Sequence, residues 1–444
     1  MMNWKKLLTP QRLGRTEQED IQHGRTPFLR DYDRLVFSSP FRRLKDKTQV
    51  FSLPTNDYIR TRLIHSLEVS CVGRSLGRIV GDEIIKRHKL DKYGYSPSDF
   101  GEIVSAACLA HDIGNPPFGH SGEDAIRTAF QSWYSSVNQM KEELLTEFQK
   151  ADFDLFEGNA QGFRILTNLE MVPQRGGMQL TCPTLASFTK YPRESLIPES
   201  ILKNSTSRIP KKHGFFQAEK DLFSEVANTV GLIRRHDNAA WWCRHPLAFL
   251  VEAADDICYS IVDVEDGHRM GYISFEQAKD LLNKIADIDI QKDDGSKDEK
   301  VKRLRAKGID KLIREATQIF LDNEVKILSG EFEEDLLSLS NYAEHLKEIG
   351  KQTSDTVFQH QDVVSIQIAG YEVLAKLFTE FANTIFNNEN KSKLVYQMLP
   401  KEYYLSLEDD NSYEKILKIT DYISGMTDSY ATKLFQKFSG ISLG

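Results

Sequence analysis

The stretch SAACLAHDIGNPPFGHSGEDAI, residues 105–126, begins as a helix of small and apolar residues and is broken by Gly114-Asn115-Pro116-Pro117. Proline has no amide donor and disfavours helical geometry in the residue before it, so the first helix ends at His111-Asp112. A second helix is expected to open near Ser121, with Asp124 three residues on as a partial capping box. The break leaves an imidazole and a carboxylate side by side at a helix end, where both can reach one cation. A neutral imidazole and a carboxylate together suit a borderline or hard divalent metal. An HD dipeptide by itself is as a rule a buried, hydrogen-bonded histidine beside a helix-end aspartate. Further ligands have to be found before the metal reading wins.

Working outward, His65 lies within RTRLIHSLEVS, on an otherwise apolar helical stretch. Downstream, EAADDICYSIVDVED (252–266) sets Asp255, Tyr259 and Asp263 at i, i+4 and i+8, one face of a helix. Charged groups on so apolar a helix are costly unless paired or metal-bound. Spacing leaves open whether Asp255 or Asp256 faces inward. Elsewhere the period is also helical: Val373, Leu374, Leu377, Phe378, Phe381, Ala382, Ile385 and Phe386 share one face, as do Ile309, Leu312, Ile313, Ala316, Ile319 and Phe320. Leu63, Leu67, Leu76, Ile79 and Val80 suggest helical segments on either side of Gly73. The best strand pattern is a short one at 48–53, so the expected class is all-α. Turn and loop chemistry marks 91–99 and 192–214, and 290–308 reads as a charged joint before a C-terminal helical region. No internal repeat or low-complexity tract is present.

Composition bounds the function. The 444 residues are 40% hydrophobic and 27% charged, which is too apolar for a disordered chain. No apolar run approaches the ~20 residues of a membrane span, and the N-terminus lacks the apolar core of a signal peptide. Five cysteines without a CxxC pair (Cys71, Cys108, Cys182, Cys243 and Cys258) read as reduced core residues of a cytoplasmic protein. A net charge of −8 argues against a general nucleic-acid binder. Residues 25–65 nevertheless carry nine Lys/Arg against four Asp, a local +5 that is either a solvated face or a surface meeting phosphate.

Longer strings give these residues a family. His65, His111-Asp112 and Asp255 form the H…HD…D pattern of HD-domain metal-dependent phosphohydrolases. RDYDRLVFSSPFRRLKDKTQVF (30–51), RTRLIHSLEV (60–69), LAHDIGNPPFGHSGE (109–123), FEGNAQGFRIL (156–166), FTKYPR (188–193) and EAADDICYSIVDVED resemble bacterial dGTP triphosphohydrolases, with a weaker echo in DYISGMTDSYA (421–431). The resemblance implies an all-α HD domain over 60–275, an N-terminal segment, 1–59, whose basic stretch contacts substrate or a second subunit, and a C-terminal helical region, 276–444.

It also implies roles. His65, His111, Asp112 and Asp255 would ligate one divalent metal, Mn or Mg foremost, with Fe, Co or Ni also compatible with a His₂Asp₂ set. The family's aspartate lies four before a tyrosine, which selects Asp255 over Asp256. His120 and Glu123 stand where the family carries its catalytic pair; outside that match His120 reads as a loop histidine. Arg62, Asn159 and Lys190 would hold the polyphosphate, Gln49 the sugar 3′-OH, Tyr259 the sugar face and Asp263 the 3′ side. Each also has a plain structural reading as surface, cap or core. The implied reaction is dNTP plus water giving deoxynucleoside and triphosphate. Implied partners are further copies of the chain, hexameric in many relatives, with dNTPs or single-stranded DNA as regulators and no membrane. Two other readings remain: a different HD phosphohydrolase acting on monophosphates, cyclic nucleotides or alarmones, and a regulatory nucleic-acid-binding HD protein. The polyphosphate-type residues argue against the first, and the complete ligand and acid–base sets against the second.

Overall fold

In the computed structural model, which describes residues 1–16, 24–49, 60–138, 144–202, 211–290, 294–386, 389–403 and 411–441, regular structure is helical throughout. The only extended pairings among the described residues are four isolated bridges. One joins Thr48 to Thr61; residues 50–53 of the expected 48–53 strand lie outside the described residues. The all-α expectation holds. No helix among the described residues is long and apolar enough to cross a membrane.

Arg62–His88 is one unbroken helix, α1, where the sequence suggested two segments flanking Gly73. A mid-helix glycine costs up to ~1 kcal/mol of propensity, but here the glycines are the packing face. Gly73, Gly77 and Gly81 lie along the second helix, α2 (Pro97–Ala110): a Cβ on Gly77 would sit 2.7 Å from the Phe100 carbonyl oxygen, and one on Gly73 2.4 Å from Cys108 Sγ. Close backbone approach thus replaces the apolar stripe, and Ile79 is left exposed. Lys89 and Gly94, both at positive φ, turn the chain at 91–99 as the turn chemistry predicts, and Asp99 accepts the Ser96 amide to start α2.

Helix α2 ends at His111, as read. The next helix, α3 (Gly119–Asn138), opens at Gly119, two residues before the expected Ser121. Asp124 does not cap it but pairs with Arg127 at 2.7 Å. A short helix, α4 (Gly158–Arg164), and a long one, α5 (Ala248–Arg269), complete the frame around the HD dipeptide.

The expected joint at 290–308 is corrected. Ser296 accepts the Glu299 amide and Glu299 accepts the Ser296 amide, and this reciprocal cap launches α6, Lys297–Asp322. Val301, Leu304, Leu312 and Ala316 are fully buried, a sparse apolar stripe that the surrounding Lys, Arg and Asp conceal. Beside a small apolar cluster of Ile197, Ile201, Ala239 and Trp241, two large ones result. One joins the N-terminal helices to α1, α2, α5 and α6; the other packs α3 against α7 (Gln361–Asn383), α8 (Ser412–Ser424) and α9 (Asp428–Phe438) through Phe130, Trp133, Phe378 and Phe381.

Candidate active site

Three helices bring the predicted ligands to one point. His65 is in the first turn of α1, His111 caps α2, and Asp255 lies in the third turn of α5. Their donor atoms all fall within 4.8 Å of one another. Asp255 Oδ1 is 3.2 Å from His65 Nε2 and 3.4 Å from His111 Nε2, and Asp112 Oδ1 is 3.5 Å from His111 Nε2. Neighbouring ligands at right angles on a metal with bonds of ~2.1 Å stand ~3 Å apart, so small adjustments admit a divalent ion. His111 Nδ1 lies 2.7 Å from the Cys108 carbonyl oxygen. A carbonyl can only accept, so the proton is on Nδ1 and Nε2 presents its lone pair to the cluster, the arrangement a metal-ligating histidine requires. The donor set fits the group.

Electrostatics keep the carboxylates ionised. Burial pushes Asp112 up, but Arg62, with Nη1 at 2.8 Å from Oδ2, and the two imidazoles bring it down to about 2. Asp255 is likewise held well below the usual range, against its burial, by Lys190 at 2.7 Å and by both histidines. Burial lowers His111; it pushes His65 down as well, but the bond to Asp255 together with the Asp255, Asp112 and Asp263 charges leaves His65 raised. Asp256 behaves oppositely: burial and the neighbouring Asp255 charge push it up to about 8. Two adjacent carboxyls thus have opposite environments, and the ionised one is the one facing the imidazoles.

Past the HD dipeptide, Phe118 (φ +62°) and Gly119 (φ +60°) turn the chain sharply. Arg62 fills the space a Cβ on Gly119 would need, at 2.5 Å. The turn carries His120 out over the cavity, where its side chain is 78% exposed, while Glu123 stays buried beneath it. His120 Nδ1 is 2.7 Å from Glu123 Oε2, and Glu123 Oε1 accepts the Gly158 amide at 2.7 Å. Burial raises the Glu123 carboxyl, but the bond and charge of His120, with Lys212, leave it below the usual range.

These groups line one cavity of about 500 Å³. Gln49, Arg62, Asn159, Lys190 and Tyr259 all lie on its wall. Gln49 Oε1 is buried with no hydrogen-bond partner among the described residues, and the Tyr259 ring stacks on Phe358 at 5.8 Å. Asp263 is the exception: it is buried off the wall, raised to about 8 by burial, with Oδ2 unpartnered among the described residues. Of the 25–65 basic stretch, Arg60 is tied to Glu68, Glu265 and Asp266, and Lys47 is buried. Sequence reasoning missed the far wall, Phe358, Val363, Ile366 and Gln367. Phe358 ends a π-helical turn, Ser354–Phe358, whose wider period hides it from a 3.6-residue pattern.

An all-α frame that gathers two histidines and an aspartate at one point, with a second aspartate 3.5 Å from one imidazole and a histidine–glutamate pair beside them, defines an HD-domain phosphohydrolase. Residues 62–158 match the HD domain family and 336–437 the phosphohydrolase-associated domain family. A deoxyguanosinetriphosphate triphosphohydrolase-like protein of Synechocystis sp. is 58% identical over 444 residues, covering 100% of both chains. One from Pseudomonas aeruginosa is 38% identical over 464 residues, 99% of each. The deoxyguanosinetriphosphate triphosphohydrolase of Yersinia pestis is 32% identical over 485 residues, 91% of this chain and 92% of its own. The chain belongs to the deoxyguanosinetriphosphate triphosphohydrolase family, and it is a hydrolase of phosphoric esters.

Proposed function

We propose that the chain cleaves deoxynucleoside triphosphates at the α-phosphorus, releasing deoxynucleoside and inorganic triphosphate, with dGTP among its substrates. The observation that carries this is the convergence, in one cavity, of the His65/His111/Asp112/Asp255 donors, the His120–Glu123 pair and the Arg62 and Lys190 cations. A monophosphate or cyclic nucleotide gives such a row of cations and Asn159 less to hold. His65, His111, Asp112 and Asp255 would hold a divalent ion, Mn or Mg foremost, which when bound polarises a phosphoryl oxygen and acidifies a water. Arg62, Lys190 and Asn159 bind and orient the polyphosphate. Gln49, whose buried acceptor has no partner among the described residues, takes the 3′-OH, and Tyr259 covers the sugar face. Asp263, off the wall, acts on the 3′ side only through its neighbours.

The sugar 5′-oxygen is a poor leaving group, and an acid that protonates it contributes about 10²–10⁴-fold. His120 is that acid: it is exposed to the cavity and held in one orientation by a buried carboxylate. Cytoplasmic placement, a homo-oligomer and control by dNTPs or single-stranded DNA belong to the same reading; the first rests on the cysteine usage and the others on the family resemblance alone. The test is incubation of the purified protein with each dNTP and with GTP, in Mn²⁺ or Mg²⁺, and chromatography of the products. Intact triphosphate is expected, with ribonucleotides rejected by about 10²-fold or more. Release of phosphate or pyrophosphate, or equal turnover of GTP and dGTP, would sink the proposal.

A further inference from the structure

The string DYISGMTDSYA (421–431) lies far from the HD dipeptide in sequence, and none of its residues lines the cavity. Its contacts nevertheless reach three parts of the site. Asp428, 2% exposed at the start of α9, uses both carboxylate oxygens. Oδ2 accepts the Thr48 amide at 2.9 Å and the Thr48 hydroxyl, and Oδ1 accepts the Phe118 amide at 3.1 Å. Thr48 precedes Gln49, and Phe118 precedes Gly119 and His120. Four residues earlier, the Ser424 carbonyl oxygen accepts Lys47 Nζ at 2.8 Å, and the same ammonium reaches the Asn115 carbonyl oxygen at 2.6 Å. Asp421 takes Gln161 and, through both oxygens, the Arg164 guanidinium on α4, whose first turn bears Asn159.

We infer that the α8–α9 turn is a clamp for the active site and that Asp428 is a positioning residue, fixing the Gln49 segment and the His120 turn relative to each other. This rests on the proposed reaction for its kinetic consequences but on geometry for the clamp itself. Phe118 carries a side chain in the left-handed region, which a non-glycine residue holds only when its surroundings over-determine it. Asp428 does so from one side, and close packing of the Phe118 ring on Gly370, where a Cβ would come within 2.8 Å, does so from the other. A single carboxylate shared by two chain segments keeps their spacing constant, because moving either one breaks a bond to a buried charge.

Asp428→Asn keeps the shape but offers one acceptor where two faces need one. Its kcat should fall on the order of 10²-fold, the effect of a misplacement near 1 Å, with Mn²⁺ affinity by calorimetry unchanged within about twofold, since Asp428 touches no ligand. In a His120→Ala background the same substitution should change single-turnover kcat by less than about threefold, because there is no acid left to misplace. Amide exchange should accelerate together in 47–49 and 118–120, and Asp428→Glu, which keeps both acceptors, should restore part of that protection. Additive kinetic losses, or exchange that changes at one segment or neither, would overturn the clamp. If the wild type hydrolysed no dNTP, the substrate reading would fail and the exchange arm would still decide the clamp. Should Asp428→Asn not fold, Thr48→Val removes the hydroxyl bond alone and should move both segments in the same direction by less.

Discussion

His120→Ala separates the acid role from every other role the site can lend a histidine. The side chain is 78% exposed and bonds to Glu123, so its removal leaves no cavity. Glu123 loses one partner but keeps the Gly158 amide, a cost of about 1 kcal/mol. With unfolding entropy near 2.1 cal/mol/K per residue, that lowers Tm by only ~1 °C in a chain of this length. His120 is outside the ligand cluster and the cations Arg62 and Lys190, so metal and dNTP affinity should hold within about twofold. The loss belongs in kcat, as for an interaction made mainly in the transition state. A factor of ~10²–10⁴ corresponds to about 3–5 kcal/mol of barrier. The assay is single-turnover hydrolysis of dGTP beside a nitrophenyl ester at the same phosphorus, whose leaving group needs no proton. His120→Ala should recover most of its rate on the ester, and Glu123→Gln should lose less than His120→Ala on dGTP. Equal loss on both substrates would mean that His120 acts on the water or the ion, and the leaving-group assignment would be wrong.

Three further outcomes follow from the same structure. Asp255→Ala should lose divalent-ion binding and turnover while Asp256→Ala keeps most of both, since only Asp255 faces the imidazoles; calorimetry with Mn²⁺ and a dNTP assay decide it, and equal losses would refute the choice. Arg164→Met strands the buried carboxylates of Asp421 and Glu219, which it now pairs at 2.8 and 2.5 Å; at ~3–5 kcal/mol for breaking a buried pair, Tm should drop by about 3–5 °C, and a shift below about 1 °C would contradict it. Burial, with the nearby Glu219 charge and against bonds from Ser195, Tyr413 and Gln217, raises the Asp152 carboxyl to about 7 from an ordinary 3.8. The native state therefore holds a proton that the unfolded chain has released across that window, and stability falls as pH rises through it, by on the order of 4 kcal/mol. Urea midpoints at pH 4.5 and 7.5 should show a flatter profile for Asp152→Asn than for the wild type; parallel profiles would rule the effect out.

Much of this site is legible in sequence because its ligands sit at punctuation. His111 is where proline and glycine stop α2, and Asp255 and Tyr259 share a face that four-residue spacing reveals. What stays hidden is packing that uses no apolar period. The Gly73, Gly77 and Gly81 row looks like a break in a helix and is its contact face. The basic run before Ile309 looks like a linker because two buried residues per two turns, Val301 and Leu304, are too few to register among the charges. The wall formed by Phe358, Val363, Ile366 and Gln367 carries no chemical signature, and a wide turn displaces its first member. Asp428 was visible only as part of an unexplained string. Its partners, Thr48 and Phe118, are 380 and 310 residues away, a distance over which spacing has no meaning.

The two carboxylates of the proposed ligand set share one arrangement that, in the proposed reaction, would join metal and substrate binding. Asp255 turns Oδ1 to the imidazoles, at 3.2 and 3.4 Å, and Oδ2 to Lys190 at 2.7 Å. Asp112 turns Oδ1 toward His111, at 3.5 Å, and Oδ2 to Arg62 at 2.8 Å. Each acid therefore turns one oxygen toward the imidazoles, Asp112 Oδ1 while also accepting the Asn115 side-chain amide, and has the other engaged by a cation. The cations satisfy buried charge that would otherwise be costly, and they hold the carboxylates ionised, so protons compete poorly for the same oxygens. They also orient the ligands, as hydrogen bonds to a ligating carboxylate do. An ammonium and a guanidinium have donors to spare after one such bond. Both groups lie on the cavity wall, so those donors meet the polyphosphate in the proposed reaction without leaving the carboxylates. In the proposed reaction Arg62 and Lys190 would both support the metal site and cradle the substrate, and removing either should weaken both.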